Sequence, residues 1–145
     1  MKEEYVTYEQ AQALKRLGFA EKVNHAYLKK ISIDPELSVG DLKEMYSKDP
    51  KNYNDNRKGA EKGLFFCSAP RLDQAQKWLR DTKELHVLPR LENVNKPDYV
   101  CIVTLMRKEI IRITNNGSYF PNYELALSAG IDAALDLFTD KLKDK

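Results

Sequence analysis

The chain has 145 residues, of which 42% are apolar, 32% charged and 10% aromatic, a composition typical of globular proteins rather than of disordered or fibrous ones. Lys and Arg number 24 against 22 Asp and Glu, so the formal net charge of +2 argues against a polyanion as a partner. The longest strongly apolar run, residues 99–106, is far shorter than the roughly 18 residues that span a membrane as a helix. These values predict a single domain over residues 1–145 without a transmembrane helix.

The start of the chain and the two cysteines indicate a compartment. Residues 1–6 are acidic and lack the apolar stretch of a secretory signal, which predicts a cytoplasmic location. That compartment is reducing, and two cysteines in a chain of this length are no disulfide framework. We therefore expect Cys67 and Cys101 to be free thiols in the core.

The N-terminal part predicts a helix. Thr7 and Gln10 have the spacing of a capping box, in which each side chain accepts a hydrogen bond from the backbone N–H of the other residue. Apolar residues then recur at helical spacing, and Gly18 suits a left-handed C-cap. We predict a helix over residues 8–17.

After this helix, short strands are expected to precede a polar insertion. The alternation of residues 25–28 and 31–33 predicts one or two strands. Residues 40–63 are dense in charged residues, Asn and Gly, and predict an insertion with a short helix over about 41–46. A segment of this length is either a functional contact surface or lid, or a solvated excursion of the chain, and the sequence leaves both open.

The second half predicts a helix, three strands and a final helix. A short apolar run at 64–67 predicts a strand or a buried lead-in, and a helix that opens at 68–70 carries Trp78 on its apolar stripe, where we expect it in the core. Period-two patterns predict three strands, over 86–88, 99–106 and 109–114. The strand at 99–106 is apolar on both faces, which predicts a central strand covered on both sides or by a partner chain.

The last helix is predicted to begin after Asn122 and to run to about Phe138. Its apolar arc is wide, with small residues on one stripe and Leu127, Ile131 and Phe138 on another, so we expect burial on more than one side. A glycine inside a helix costs about 1 kcal/mol relative to alanine, and Gly130 therefore predicts close packing at that point.

The order of these elements predicts an α+β fold. We expect a small antiparallel sheet of three to five strands packed by two or three helices, in the order α-β-(long insertion)-α-β-β-β-α. The tight connection predicted between the last two strands favours antiparallel pairing.

Segments at both ends and in the middle of the chain carry a resemblance to a family. The segments are YVTYE at 5–9 through LGF at 17–19, SAP at 68–70 with QAQKWLR at 74–80, and YELA at 123–126 through GI at 130–131 and AL at 134–135. They resemble an uncharacterised family of small proteins encoded by phages, prophages and mobile elements of gut bacteria. The resemblance implies a genomic context but no activity, cofactor or catalytic residue. The family has a threonine helix cap two residues before the position of Asp73, where this chain has Arg71.

Four residues are candidates for metal binding or thiol catalysis, and they are far apart in sequence: His25, Cys67, His86 and Cys101. Protein metal sites usually take local ligand pairs, so core thiols and partly exposed imidazoles are the favoured interpretation, and no metal or other cofactor is expected. A catalytic pair of Cys67 with His86 is the alternative, but no flanking motif supports it. The sequence therefore leans away from an enzyme.

Four basic residues form a candidate binding set along one edge of the predicted sheet: Arg90, Arg107, Lys108 and Arg112. The order helix, three strands, helix superficially resembles a double-stranded RNA-binding domain. Such a domain expects a lysine cluster at the start of its last helix, where this chain has Asn122, Tyr123 and Glu124, and the low net charge weakens phosphate binding. A nucleic-acid-associated or antitoxin-like regulatory protein is therefore the second hypothesis.

The first hypothesis is a non-enzymatic protein-interaction or accessory module of a mobile genetic element. The last helix and the central strand carry excess apolar surface, and the polar insertion offers a contact surface. The partner would be another protein or a second copy of this chain, with nucleic acid less favoured and no membrane. A well-buried core in a monomer explains the same apolar residues, so the two interpretations differ in what covers them.

Overall fold

A computed structural model describes residues 4–30, 42–55, 64–93, 95–105 and 109–143. Within these ranges the chain forms three helices and six strands. In chain order they are α1 (Tyr8–Arg16), β1 (Val23–Lys30), β2 (Lys43–Lys51), β3 (Leu64–Ser68), α2 (Leu72–Lys83), β4 (Leu85–Asn93), β5 (Asp98–Leu105), β6 (Glu109–Ile113) and α3 (Tyr123–Lys143). The predicted α+β class is confirmed, and the predicted order broadly fits.

The strands form two antiparallel sheets, each of three strands. The chain divides into two compact units, which we call the N-terminal unit (Tyr5–Pro70) and the C-terminal unit (Met1–Glu4 with Arg71–Lys145). The strand order is β2-β1-β3 in the N-terminal unit and β4-β5-β6 in the C-terminal unit. Each sheet therefore has one central strand and two edge strands.

Helix α1 begins where the sequence predicts. Thr7 Oγ1 accepts a hydrogen bond from the Gln10 N–H at 3.2 Å, and the Thr7 N–H donates to Gln10 Oε1 at 2.8 Å, which completes the capping box. The pair satisfies backbone groups that a helix start otherwise leaves without partners. Leu14 is fully buried, and α1 packs against β3. Gly18 follows the helix with a φ of 97°, as its predicted role requires.

The short helix predicted over about 41–46 is wrong for residues 43–46, which belong to the extended strand β2 (Lys43–Lys51). Of the described strands, β2 pairs with β1 alone, and it lies at the edge of that sheet. None of its side chains is fully buried, so backbone pairing holds it and no apolar alternation is needed. The strand expected at 31–33 and the rest of the predicted insertion, 56–63, lie outside the described residues.

The turn after β2 is tied to distant segments of the N-terminal unit. Asn54 donates from Nδ2 to the Phe19 carbonyl at 2.8 Å, and its Oδ1 accepts from the Ser68 N–H at 2.9 Å. Ser68 Oγ in turn accepts from the Tyr53 N–H at 3.0 Å. This part of the polar insertion is therefore bonded into the sheet region.

In the C-terminal unit, α2 and α3 contact each other and β4, and α3 also contacts β5 and β6. The approach of α3 is closest at Gly130, where a Cβ atom would collide with Cys101 Sγ and lie 2.7 Å from Val87 Cγ1. Val87 and Cys101 belong to neighbouring strands, so α3 packs on the face of the sheet that carries them. The predicted close packing at Gly130 is confirmed.

Helix α3 extends to Lys143, beyond the predicted end near Phe138. Leu127 and Ile131 are buried, as predicted, whereas the side chain of Phe138 lies outside the described residues. Helix α2 begins after Arg71, whose side chain makes no capping hydrogen bond, and Trp78 is buried as expected. Across the described ranges, no helix combines the length and the apolarity that crossing a bilayer requires.

Candidate functional site

The structure brings two of the four predicted basic residues together. Arg90 on β4 and Arg112 on β6 both donate from Nη2 to Glu92 Oε1, at 2.8 and 3.3 Å respectively. The hydrogen bond from Arg90, joined by the one from Arg112, lowers the pKa of the Glu92 carboxyl. Arg107 and Lys108 lie outside the described residues. The two described residues of the predicted set thus share one carboxylate, but they lie on opposite edge strands rather than along one edge of the sheet, as was predicted.

Arg90 and Arg112 lie on the face of the sheet opposite α3. Side chains alternate along a strand, so the residues between those that face α3 point the other way. We call this the outer face, and it consists of His86, Leu88, Arg90, Val100, Ile102, Thr104, Ile110 and Arg112. The register aligns Leu88 with Ile102 and Ile102 with Arg112 in one row across the three strands. The neighbouring row runs from His86 through Thr104 to Ile110.

The outer face exposes large aliphatic side chains at both of its edges. Leu88 on β4 is 50% exposed and Ile110 on β6 is 74% exposed. Between them, Ile102 is half-buried on the central strand, and Val100 at one end of the face is buried. Aliphatic groups on a sheet face next to paired charges are typical of surfaces that contact other proteins.

A second cluster surrounds His25 on β1 of the N-terminal unit. The imidazole stacks on the Tyr46 ring of β2, with 4.5 Å between centroids and 29° between planes, and the Tyr5 ring lies 4.3 Å away in a tilted arrangement. Tyr27 contacts the imidazole edge-on at 5.1 Å. His25 is fully buried although Tyr46 is 66% exposed. An exposed tyrosine on an edge strand therefore covers a buried histidine.

Neither ring nitrogen of His25 makes a well-aligned hydrogen bond in the described part of the chain. Nε2 lies 3.3 Å from Glu44 Oε1, an ion-pair distance without hydrogen-bond alignment. Burial lowers the pKa of His25 below its ordinary value, although the Glu44 carboxylate and the Ala69 backbone favour the charged form. The imidazole is therefore neutral at pH 7.

Sequence reasoning missed this cluster for a physical reason. His25 and Tyr27 are two residues apart on a predicted strand, so their shared face could be foreseen. Tyr46 comes from a charged segment without a strand pattern, and Tyr5 precedes the first helix. The pairing of His25 with Tyr46 across β1 and β2 brings Tyr46 to the ring. The segment of Tyr5 is held there by Val6, whose carbonyl accepts from the Tyr27 hydroxyl. The Val6 N–H also donates to the Pro70 carbonyl.

Both cysteines are free and buried, as predicted. Burial raises the pKa of Cys67 to about 11 and that of Cys101 to about 12. The positive charge of Lys15 lowers the pKa of Cys67 and so offsets part of the effect of burial. The Lys15 ammonium also donates a hydrogen bond to the Phe66 carbonyl at 2.7 Å. The thiolate is the nucleophilic form of cysteine, so both thiols are poor nucleophiles near pH 7.

We therefore expect both thiols to react with a disulfide reagent such as DTNB only as the protein unfolds. At neutral pH the native protein should react at least about 100-fold more slowly than the chain in concentrated guanidinium chloride, because each pKa unit lowers the thiolate fraction about tenfold. Stopped-flow absorbance measures both rates. Rapid release of one equivalent from the native protein would contradict this expectation.

The other candidates for metal or acid–base chemistry are dispersed. Across the described ranges, no three side chains of His, Cys, Asp or Glu converge on a position suited to a metal ion. His86 is half-buried on the outer face, where Thr104 is its cross-strand neighbour.

Comparisons of this chain with protein-family models, with curated proteins and with solved structures return no match.

Proposed function

We propose that the protein is a non-enzymatic protein-interaction module whose contact surface is the outer face of the C-terminal sheet. The observation that carries this proposal is the exposure of Leu88 and Ile110 on a sheet face that α3 leaves uncovered. An aliphatic side chain gains about 1.5–3 kcal/mol when it moves from water into an apolar contact. A partner that covers both residues therefore has a substantial driving force for binding.

The location of the excess apolar surface supports this choice of face. Leu127 and Ile131 of α3 are buried, so these two residues offer no apolar surface to a partner. On β5, Cys101 and Val103 are likewise buried. Exposed aliphatic surface remains at the edges of the outer face, and the Arg90, Glu92 and Arg112 group supplies a polar border of the kind that protein interfaces have.

Nucleic-acid binding is the less favoured function. A phosphate-binding surface depends on cations whose charge is available to the backbone of the nucleic acid. Here Arg90 and Arg112 share the Glu92 carboxylate, which offsets part of their charge, and the whole chain carries a formal charge of only +2. The aliphatic residues beside them suit a protein surface better than a phosphate backbone.

The proposal includes a setting for the protein. Buried free thiols are compatible with a reducing cytoplasm, which is the location we propose. The resemblance to proteins of phages and mobile elements supplies the genomic context, and an accessory role in such an element remains part of the proposal. A homodimer is one form that the interaction can take.

Lysine substitution of Ile110 tests the proposal, because a charge placed within an apolar contact should weaken it. Light scattering over a concentration series first determines whether the wild-type chain associates with itself. If it does not, partners are quantified by mass spectrometry after capture from the native host. We expect Ile110→Lys to weaken the contact by about 30-fold, the effect of a 2 kcal/mol hot spot.

Leu125→Lys is the control, because Leu125 is likewise a large exposed aliphatic residue, 50% exposed against 74% for Ile110, but lies on α3 rather than on the outer face. The proposal requires that this variant retain full binding. Equal binding by wild type, Ile110→Lys and Leu125→Lys would overturn the assignment of the outer face. Salt-dependent retention of DNA or RNA on a filter that Arg112→Ala reduces would favour the nucleic-acid function instead.

A further inference from the structure

Among the described strands, β2 is attached to the N-terminal sheet along one side only. It pairs with β1, while β3 pairs with the other side of β1. The regular register covers four residue pairs, from His25 with Tyr46 to Leu28 with Lys43, and then shifts before Val23 pairs with Lys51. All β2 side chains are exposed or half-exposed. A strand with so little buried surface belongs to the least stable part of a domain.

His25 is a buried residue of β1 that contacts side chains of β2. Its imidazole, fully buried, contacts Tyr46 by stacking and lies beside the Glu44 carboxylate, so it touches β2 at two residues of the regular register. Neither ring nitrogen makes a well-aligned hydrogen bond among the described residues, although the Glu44 carboxylate and the Ala69 backbone lie close to the ring. Buried polar atoms without partners are rare and destabilise the fold that contains them, so such a group calls for an explanation.

We propose that the neutral imidazole of His25 is an acid-sensitive latch that holds β2 on β1, and that its protonation releases β2. This inference is independent of the proposed interaction function, which concerns the C-terminal unit. Within the described ranges, the titratable groups that face the ring are Tyr27 from β1, Glu44 and Tyr46 from β2, and Tyr5 from the segment before α1. The Ala69 backbone, which follows β3, is the uncharged group that favours the protonated ring.

The direction of the pH effect follows from the competition between burial and Glu44. Burial lowers the pKa of His25 from its ordinary value of 6.5, and the carboxylate offsets only part of that effect. When β2 opens, the imidazole reaches water and its pKa returns toward 6.5, so the open form binds the proton first. The attachment is therefore complete above that pH. It weakens as the pH falls from 6.5 to the lower pKa of the closed form.

Hydrogen exchange of the full chain, read residue by residue, tests the latch. After correction for the intrinsic pH dependence of exchange, the opening equilibrium of β2 amides should rise about tenfold for each pH unit between the two pKa values. Amides of β3 and α1 should keep their protection over the same range. Loss of protection throughout the N-terminal unit would overturn a local latch, and so would unchanged protection of β2 between pH 7.5 and pH 5.

Two variants separate the latch from a general effect of acid. His25→Phe keeps an aromatic ring in the stack but cannot be protonated, so β2 should keep its protection at acid pH. Glu44→Gln removes the charge that favours the protonated ring, so the loss of β2 protection should become larger than in wild type. Asp49→Asn is the matched control, because Asp49 is an exposed acid on the same strand.

The two variants also cover a failure of folding. If His25→Phe does not fold, the comparison of Glu44→Gln with Asp49→Asn decides the matter. Equal acid responses in those two variants would overturn the proposal. An acid response in a folded His25→Phe as large as that of wild type would overturn it as well.

Discussion

Gly130→Val is expected to destabilise the C-terminal unit by about 3 kcal/mol, at the upper end of the cost of overpacking a core. A Cβ atom at this position would collide with Cys101 Sγ and approach Val87 Cγ1 to 2.7 Å, and Cys101 Cβ lies only 3.2 Å away. These neighbours are in strands of the sheet, so they cannot move aside as a flexible surface side chain would. Urea denaturation followed by circular dichroism measures the change in the free energy of unfolding.

Two further variants identify the collision as the cause. Ala129→Val introduces the same β-branched residue one position earlier in α3, and it should cost about 0.5–1 kcal/mol, the difference in helix propensity. Cys101→Ala removes the sulfur atom that the new side chain meets. Combined with Gly130→Val, it should recover part of the loss, with a coupling of about 1 kcal/mol or more between the two positions. Strict additivity would show that Cys101 is not the obstacle.

The elements that the sequence predicted well are those whose signals are local. Thr7 and Gln10 form the expected capping box because both partners lie within one turn. The glycine at position 130 indicated a close approach without identifying its neighbour, because the contact with Cys101 depends on how the sheet and α3 pack. The local pattern thus predicted the position of tight packing, whereas the tertiary structure determines which residues Gly130 packs against.

The parts that the sequence did not predict depend on pairing across the chain. Strand β2 has a charged sequence and little burial, so its conformation is set by the free edge of β1 rather than by its own residues. Strand β4 runs from Leu85 to Asn93, well past the predicted 86–88, and includes Pro89, a residue that an edge strand tolerates because one side needs no hydrogen-bond donor.

The candidate sites show the same division. Arg90 and Arg112 were expected along one edge of the sheet, but they lie on its two opposite edge strands, β4 and β6. Their shared partner Glu92 was not expected, because a two-residue spacing on an edge strand carries no signal of a cross-sheet ion pair. The His25 cluster combines three separate segments of the N-terminal unit. Contacts between side chains that are far apart in sequence have no local sequence pattern, so they are not predicted from the sequence.

Leu79→Ala should destabilise the protein by about 2–5 kcal/mol, the usual cost of truncating a fully buried leucine. Leu79 lies on the apolar stripe of α2, and its removal leaves a cavity that the neighbouring side chains fill only in part. The free energy of unfolding from urea titrations, with an unchanged dependence on urea concentration, is the relevant measurement.

Leu88→Ala is the instructive counterpart, because it removes the same atoms from a side chain that is half-exposed on the outer face. Its effect on stability should be about 0.5 kcal/mol or less, since little contact is lost within the chain. If the outer face binds a protein, the same substitution should instead weaken that binding. A leucine that contributes little to folding but much to association is in place for a partner. A loss of stability as large as that of Leu79→Ala would mean that Leu88 belongs to the core, and it would remove one of the two residues on which the proposed contact surface depends.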